Sequence, residues 1–134
     1  MMITAVDTSV LLDVLADDAA HAEQSEALLA RAFQQGSLII CPVVYAELAP
    51  NARDRRQLDA WLQRGGIRTV ALTAEHGYAA GLAHAAYRKA GGQRERVLAD
   101  FFIGAHALLE ASRLLTRDRG FYRTYFSGLE ILEA

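Results

Sequence analysis

Residues 2–13 read MITAVDTSVLLD, and this stretch decides the fold. Ile3 to Val6 is a short apolar run that reads as a buried strand, ended by Asp7-Thr8-Ser9. Val10, Leu11, Val14 and Leu15 then recur with helical spacing until Asp17-Asp18 closes the segment. Outward from there the same alternation repeats. His21 to Gln35 reads as a helix with Leu28, Leu29, Ala32 and Phe33 inward, stopped by Gly36. Leu38 to Cys41 is a second apolar strand, and Pro42 suits the first turn of a helix carrying Val43, Val44, Ala46, Glu47 and Leu48, which Pro50 ends.

Asp54 to Gln63 is an amphipathic helix with Leu58, Trp61 and Leu62, stopped by Gly65-Gly66. Ile67 to Leu72 reads as a third strand, and Thr73 caps a helix reaching Ala90. A polar stretch from Gly91 to Arg96 leads into a very apolar helix, Val97 to Ala111. Arg113 to Thr116 is a fourth strand, Phe121 to Phe126 a short aromatic helix, and Leu129 to Leu132 a final strand. Strands that alternate with helices predict an α/β fold: a mostly parallel sheet with helices on both faces. No repeat or low-complexity segment interrupts the pattern, and 134 residues suit a single domain, 1–134.

Composition narrows the function classes. The chain is 52% hydrophobic and 22% charged, enough for a real core. Its one cysteine, Cys41, allows no internal disulfide. No signal peptide is expected and no apolar run approaches the ~20 residues of a membrane span, so the expected compartment is the cytoplasm. The formal net charge of -2 does not advertise non-specific nucleic-acid binding. Charge is uneven, however. From Arg88 to Arg123 there are eight basic residues against four acidic ones. Thirteen arginines stand against the single Lys89, which fits either phosphate recognition or the codon preferences of a GC-rich genome.

Four acids fall where a parallel sheet builds its sites, outside the carboxyl ends of the strands. Asp7 follows the first strand directly, and Asp118 follows the fourth after a two-residue step. Glu47 lies early in the helix leaving the second strand, and Asp100 near the start of the helix that feeds the fourth. Each alone also fits a turn, a cap or an exposed helix position. Jointly they gain weight because Glu47 and Asp100 sit inside apolar stretches, YAEL and LADFF. Clustered carboxylates in half-buried surroundings repel one another, and a divalent ion such as Mg²⁺ or Mn²⁺ relieves that repulsion. The histidines His21, His76, His84 and His106 show no zinc-ligand spacing with Cys41, and no Ser-His-Asp or Cys-His arrangement offers another chemistry.

These residues also carry a resemblance. MITAVDTSVLLD resembles the opening of PIN-domain ribonucleases, especially VapC-type toxins of toxin–antitoxin pairs. VVYAEL is similar to the second motif of that family, and LADFFIGAHALLEASRLLTRDRGFYRTYF, residues 98–126, to the third and fourth in their usual order. The resemblance implies a PIN-like three-layer sandwich with about five parallel strands and a divalent-metal site at their carboxyl edge. It implies catalytic roles for Asp7, Glu47, Asp100 and Asp118, with Asp7, Asp100 and Asp118 on the Mg²⁺ or Mn²⁺ ion. Ser9 and Thr116 match hydroxyl positions supporting the first and last acids, although turn and strand-end chemistry also accounts for them. Arg94, Arg96, Arg117 and Arg119 are placed to meet RNA phosphates, or to form a solvated surface. Gly104 and His106 sit where the family often has alanine, and His106 reads as a helix residue near the core.

The implied activity is metal-dependent endoribonuclease cleavage by a toxin, with RNA as substrate, a VapB-like antitoxin as partner and a second copy of the chain in a homodimer. The alternative is a PIN-fold nuclease acting on other RNA or DNA outside such a pair. Trp61 and Leu62 fit self-association, an antitoxin groove or core packing. A receiver-like signalling domain would need paired acids after the first strand and a lysine after a late one. Here Thr8-Ser9 follow Asp7, and Lys89 lies near a helix end.

Overall fold

The computed structural model describes residues 1–92 and 97–133. Among these residues, β1 (Met2–Val6), β2 (Gly36–Ile40), β3 (Ile67–Thr69), β4 (Arg113–Thr116) and β5 (Glu130–Glu133) form one sheet in the order β3-β2-β1-β4-β5. Every pairing is parallel. The helices α1 (Thr8–Leu15), α2 (Ala22–Gln35), α3 (Pro42–Leu48), α4 (Arg55–Arg64), α5 (Ala74–Lys89), α6 (Leu98–Glu110) and α7 (Arg119–Tyr125) flank both faces, giving the PIN-like α/β sandwich.

Strand order sets the position of any site. The chain builds outward from β1 through β2 to β3, then returns to β1's other side for β4 and β5. The direction of winding therefore switches between β1 and β4, and a crevice opens outside their carboxyl ends. Covered on both faces, these strands read as continuous apolar runs rather than alternating ones. Leu114 and Leu115 of β4 and Ile39 and Ile40 of β2 are all at most 1% exposed. Each such side chain contributes roughly 2 kcal/mol by leaving water.

Several boundaries differ from the sequence reading, for physical reasons. Gly36 stops α2 as its C-cap and, with no loop between, is also the first residue of β2, paired with Met2. A Cβ at Gly36 would stand 1.9 Å from the Met2 carbonyl oxygen, so any side chain would force β1 and β2 apart. Cys41 leaves the strand to become the N-cap of α3, with Pro42 in that helix's first turn. β3 ends at Thr69 rather than Leu72. Its ladder closes with one more bond, Val70 N–H to the Ile40 carbonyl at 2.9 Å, before the chain departs for α5. Phe33 does not face inward as its helical spacing predicts. It is 55% exposed and lies over Gly66, where a Cβ would meet its ring at 2.3 Å. The very apolar helix, expected to be buried, is buried only in its middle, from Phe101 to Ala107 apart from half-buried Phe102, while Leu98, Leu108 and Leu109 are exposed.

α6 and α7 are joined by aromatic rings. Phe101 packs edge-on against Phe121 at 5.1 Å and against Tyr125 at 6.1 Å, and this fixes the first turn of α6. Gly104 makes room for Phe126, whose ring would lie 2.3 Å from an added Cβ. His106 is a core residue, 1% exposed. Its Nε2 lies 3.0 Å from the Val70 carbonyl oxygen and its ring 4.8 Å from that of His76. Desolvation lowers its pKa, and the adjoining His76 adds to that.

Candidate active site

Asp7 leaves β1 at its carboxyl end and serves as the N-cap of α1. Its register is fixed by its own N–H, which donates to the Leu115 carbonyl of β4 at 2.9 Å. One carboxylate oxygen accepts from the Thr8 N–H at 2.8 Å and the other from the Thr116 hydroxyl at 2.7 Å. Asp7 is 8% exposed, and burial pushes its carboxyl from the ordinary 3.8 up to about 6. The two hydrogen bonds work against that rise, while the negative charges of Asp100 and Glu47 add to it. Those two carboxylates are therefore close enough to be felt by Asp7, although they arrive from α6 and α3.

Glu47 is exposed rather than half-buried, because the apolar neighbours Val44 and Leu48 take the buried face of the short α3. It is nevertheless oriented: the Thr8 hydroxyl donates to its Oε1 at 2.5 Å. Asp100 is half-buried in the first turn of α6, immediately before the fully buried Phe101. Asp118 is half-buried at the N-cap of α7. Its N–H donates to the Thr116 Oγ1 at 2.9 Å. Thr116 thus sits between two of the acids, donating to Asp7 and accepting from Asp118.

The hydroxyl that reaches an acid from α1 is Thr8's, not Ser9's. The Ser9 Oγ is buried and has no hydrogen-bond partner among the described residues. Successive residues of a helix diverge by about 100°, so Thr8 and Ser9 cannot serve the same acid alike. Arg94 and Arg96 lie outside the described residues. Arg117 and Arg119 are each engaged by an acid of this chain. The Arg117 Nη2 lies 3.0 Å from the Asp13 Oδ1, and the Arg119 Nε lies 2.7 Å from the Glu133 Oε2.

Two features escaped the sequence. Asp13 is 2% exposed and accepts from the Ser25 hydroxyl at 2.7 Å besides pairing with Arg117. An acid within VLLDVL, on a helix otherwise apolar, was the available signal. In addition, Asp13, Asp18 and His21 bring ligand atoms within 4.8 Å of one another and could hold a metal ion. Among the described residues this set, and not the expected quartet, meets that spacing. Its Asp13 is already neutralised by Arg117.

The donor set around Asp7 fits Mg²⁺ or Mn²⁺. It is all hard oxygen, burial and negative neighbours raise the pKa of its central acid to about 6, and among the described residues the Ser9 hydroxyl in the same turn is buried without a partner. Oxygens bound directly to one such ion lie within about 4 Å of each other, so in this arrangement one or two of the acids would touch the ion and the others would reach it through its retained waters.

Comparison with known proteins agrees with this architecture. The chain is similar to one in the structure of VapBC2 from Rickettsia felis bound to a DNA fragment from its promoter, with a TM-score of 0.76 at 18% identity, covering 98% of each chain. VapBC-1 from nontypeable Haemophilus influenzae gives a TM-score of 0.73 at 19% identity, again over 98% of each chain. FitAcB from Neisseria gonorrhoeae gives 0.69 at 17% identity, over 97% of this chain and 96% of that one. At these identities the likeness is one of fold. No curated protein matches the chain in sequence. The PIN domain family matches residues 4–127, from within β1 to just past α7, and the chain accordingly belongs to the PIN domain family.

Proposed function

We propose that the chain is a metal-dependent endoribonuclease that acts as the toxin of a VapBC-like pair. The observation that carries this reading is Asp7: a buried carboxylate at the switch point of the sheet, its pKa raised to about 6, facing further acids from α3 and α6. Family membership and architecture support a nuclease.

Asp7, Asp100 and Asp118 would hold the ion. When bound, a divalent ion supplies charge relief on the phosphoryl group and lowers the pKa of attacking water. The chain's own residues do the rest. Thr116 and the Thr8 N–H fix both oxygens of Asp7. The Thr8 hydroxyl holds Glu47, whose other carboxylate oxygen would orient the attacking water and accept its proton.

The antitoxin reading is supported by an apolar groove of about 390 Å³ between α2, α4 and the sheet edge, lined by Val14, Leu29, Phe33, Leu38, Trp61 and Ile67. It fits the apolar face of a partner helix. Leu62 turns inward, 4% exposed, and leaves Trp61 to the groove. Tyr78 and Leu82 of α5, both more than half exposed and one helical turn apart, support self-association. No described helix is long and apolar enough to cross a membrane.

The reading predicts that the purified protein cleaves RNA, that EDTA abolishes cleavage, and that Mn²⁺ or Mg²⁺ restores it. Undiminished cleavage in excess EDTA overturns the mechanism. The toxin assignment predicts growth arrest on expression, relieved by the adjacent antitoxin gene. Unaffected growth under strong induction removes that assignment and leaves the nuclease.

A further inference from the structure

We propose that Arg117 is a positioning residue, whose ion pair with buried Asp13 locks residues 116–118 against α1 and so sets Asp118 in place beside Asp7. The inference rests on the reading of that edge as a metal-dependent nuclease site.

Two successive residues at the end of β4 are tied to the segment that follows β1, and the third is tied to the first of them. Thr116 donates to the Asp7 carboxylate at 2.7 Å. Arg117 reaches the Asp13 Oδ1 at 3.0 Å. Asp118 donates its N–H back to Thr116 at 2.9 Å. Asp7 caps α1 and Asp13 lies inside it, so both anchors belong to one rigid element. Asp13 is fastened from its other side as well, its Oδ2 accepting from Ser25 of α2 at 2.7 Å. Arg117 stands between the two residues that hold Asp7 and the ion, so its anchor fixes the direction in which the chain leaves β4 for α7. Withdrawing it would strand the Asp13 carboxylate, which is 2% exposed, without its cation. The turn is therefore held where Asp118 sits at the switch point.

This assignment differs from a phosphate contact. A guanidinium serving RNA stands open to a phosphate, whereas this one is spent on an acid of its own chain. The pair is a single Nη2–Oδ1 contact made by a rigid planar head; lysine offers the charge without that shape.

The test uses the full chain with Mn²⁺ as probe. Free Mn²⁺ is counted by electron paramagnetic resonance, alongside melting temperature and the separate kcat and KM for RNA. The variants are Arg117→Gln, Arg117→Lys and the double variant Asp13→Asn/Arg117→Gln, which leaves no stranded charge. Arg117→Gln is expected to weaken Mn²⁺ binding about 10-fold and to lower kcat at least as much, with KM unchanged, as loss of an outer support of a metal site does. The double variant should recover the melting temperature and not the Mn²⁺ affinity, and Arg117→Lys should recover part of the affinity. Wild-type Mn²⁺ affinity in Arg117→Gln overturns the proposal. So does a rise in KM with kcat intact, which marks a phosphate contact, and so does recovery of affinity together with melting temperature in the double variant, which marks packing alone. A wild-type protein that neither binds Mn²⁺ nor cleaves RNA overturns the nuclease reading itself.

Discussion

Asp7 and Asp13 lie six residues apart on one segment, both are more than nine-tenths buried, and they are treated in opposite ways. Asp13 is given a cation from its own chain, Arg117, and a hydroxyl from Ser25. Asp7 is given two hydrogen bonds and two negative neighbours, and its pKa rises to about 6. A fold that needed only stability would supply both acids with cations, since unpaired buried charge is costly. On the proposed reading, the difference separates a structural acid from one kept ready for an external ion.

The comparison is broken most directly at the level of chemistry. Asp7→Asn and Asp100→Asn are each expected to reduce RNA cleavage by at least about 100-fold, because on the proposed reading each would remove a hard anionic ligand beside the reacting phosphate. Initial rates at saturating Mn²⁺ check this. Wild-type rates in both variants would make Asp7 as structural as Asp13.

Stability sharpens the contrast. The folded pKa of Asp7, about 6, lies above its ordinary 3.8, so folding favours the protonated acid. That contribution is complete below pH 3.8 and is lost as pH rises through about 6. At neutral pH and above, the ionised carboxylate costs the metal-free protein up to about 3 kcal/mol. The amide introduced by Asp7→Asn carries no charge at any pH. Metal-free Asp7→Asn should therefore exceed the wild type in denaturant midpoint at pH 7.5, with the advantage vanishing near pH 4. Equal midpoints at pH 7.5 would mean that Asp7 is not strained by its surroundings.

At Asp13 the sign reverses. Arg117→Ala should destabilise the protein by about 2 kcal/mol, below the full value for a buried pair because Arg117 is one-third exposed. A neutral effect in thermal unfolding would place the Asp13 pair among those that contribute nothing measurable.

Much of this was legible in the sequence where it depends on local pattern. Ile3 to Val6 followed by Asp7-Thr8-Ser9 announced a strand ending at a polar edge, and alternation of strands with helices announced the parallel sheet. The approach of Asp100 and Glu47 to Asp7 follows from that topology alone. What escaped depends on contacts between distant residues. Arg117 and Asp13 are separated by 104 positions, and nothing local marks an arginine as bound to a buried acid rather than open to solvent or phosphate. Glu47 read as half-buried because its sequence neighbours are apolar, yet only Val44 and Leu48 of α3 are buried, and Ala46 is exposed beside it. Phe33 failed similarly: its spacing is that of a core residue, but it covers Gly66 at the rim of a groove.

The most direct test of the central claim is Mn²⁺ binding to the purified chain across pH. If the edge around Asp7 is the ion site, affinity rises as pH passes through about 6, binding releases a proton, and Asp7→Asn abolishes both. Asp18→Asn and His21→Gln, in the other cluster able to hold a metal, then leave binding intact. Binding that survives Asp7→Asn and disappears with Asp18→Asn or His21→Gln would contradict the account and move the ion to the Asp13 side of α1.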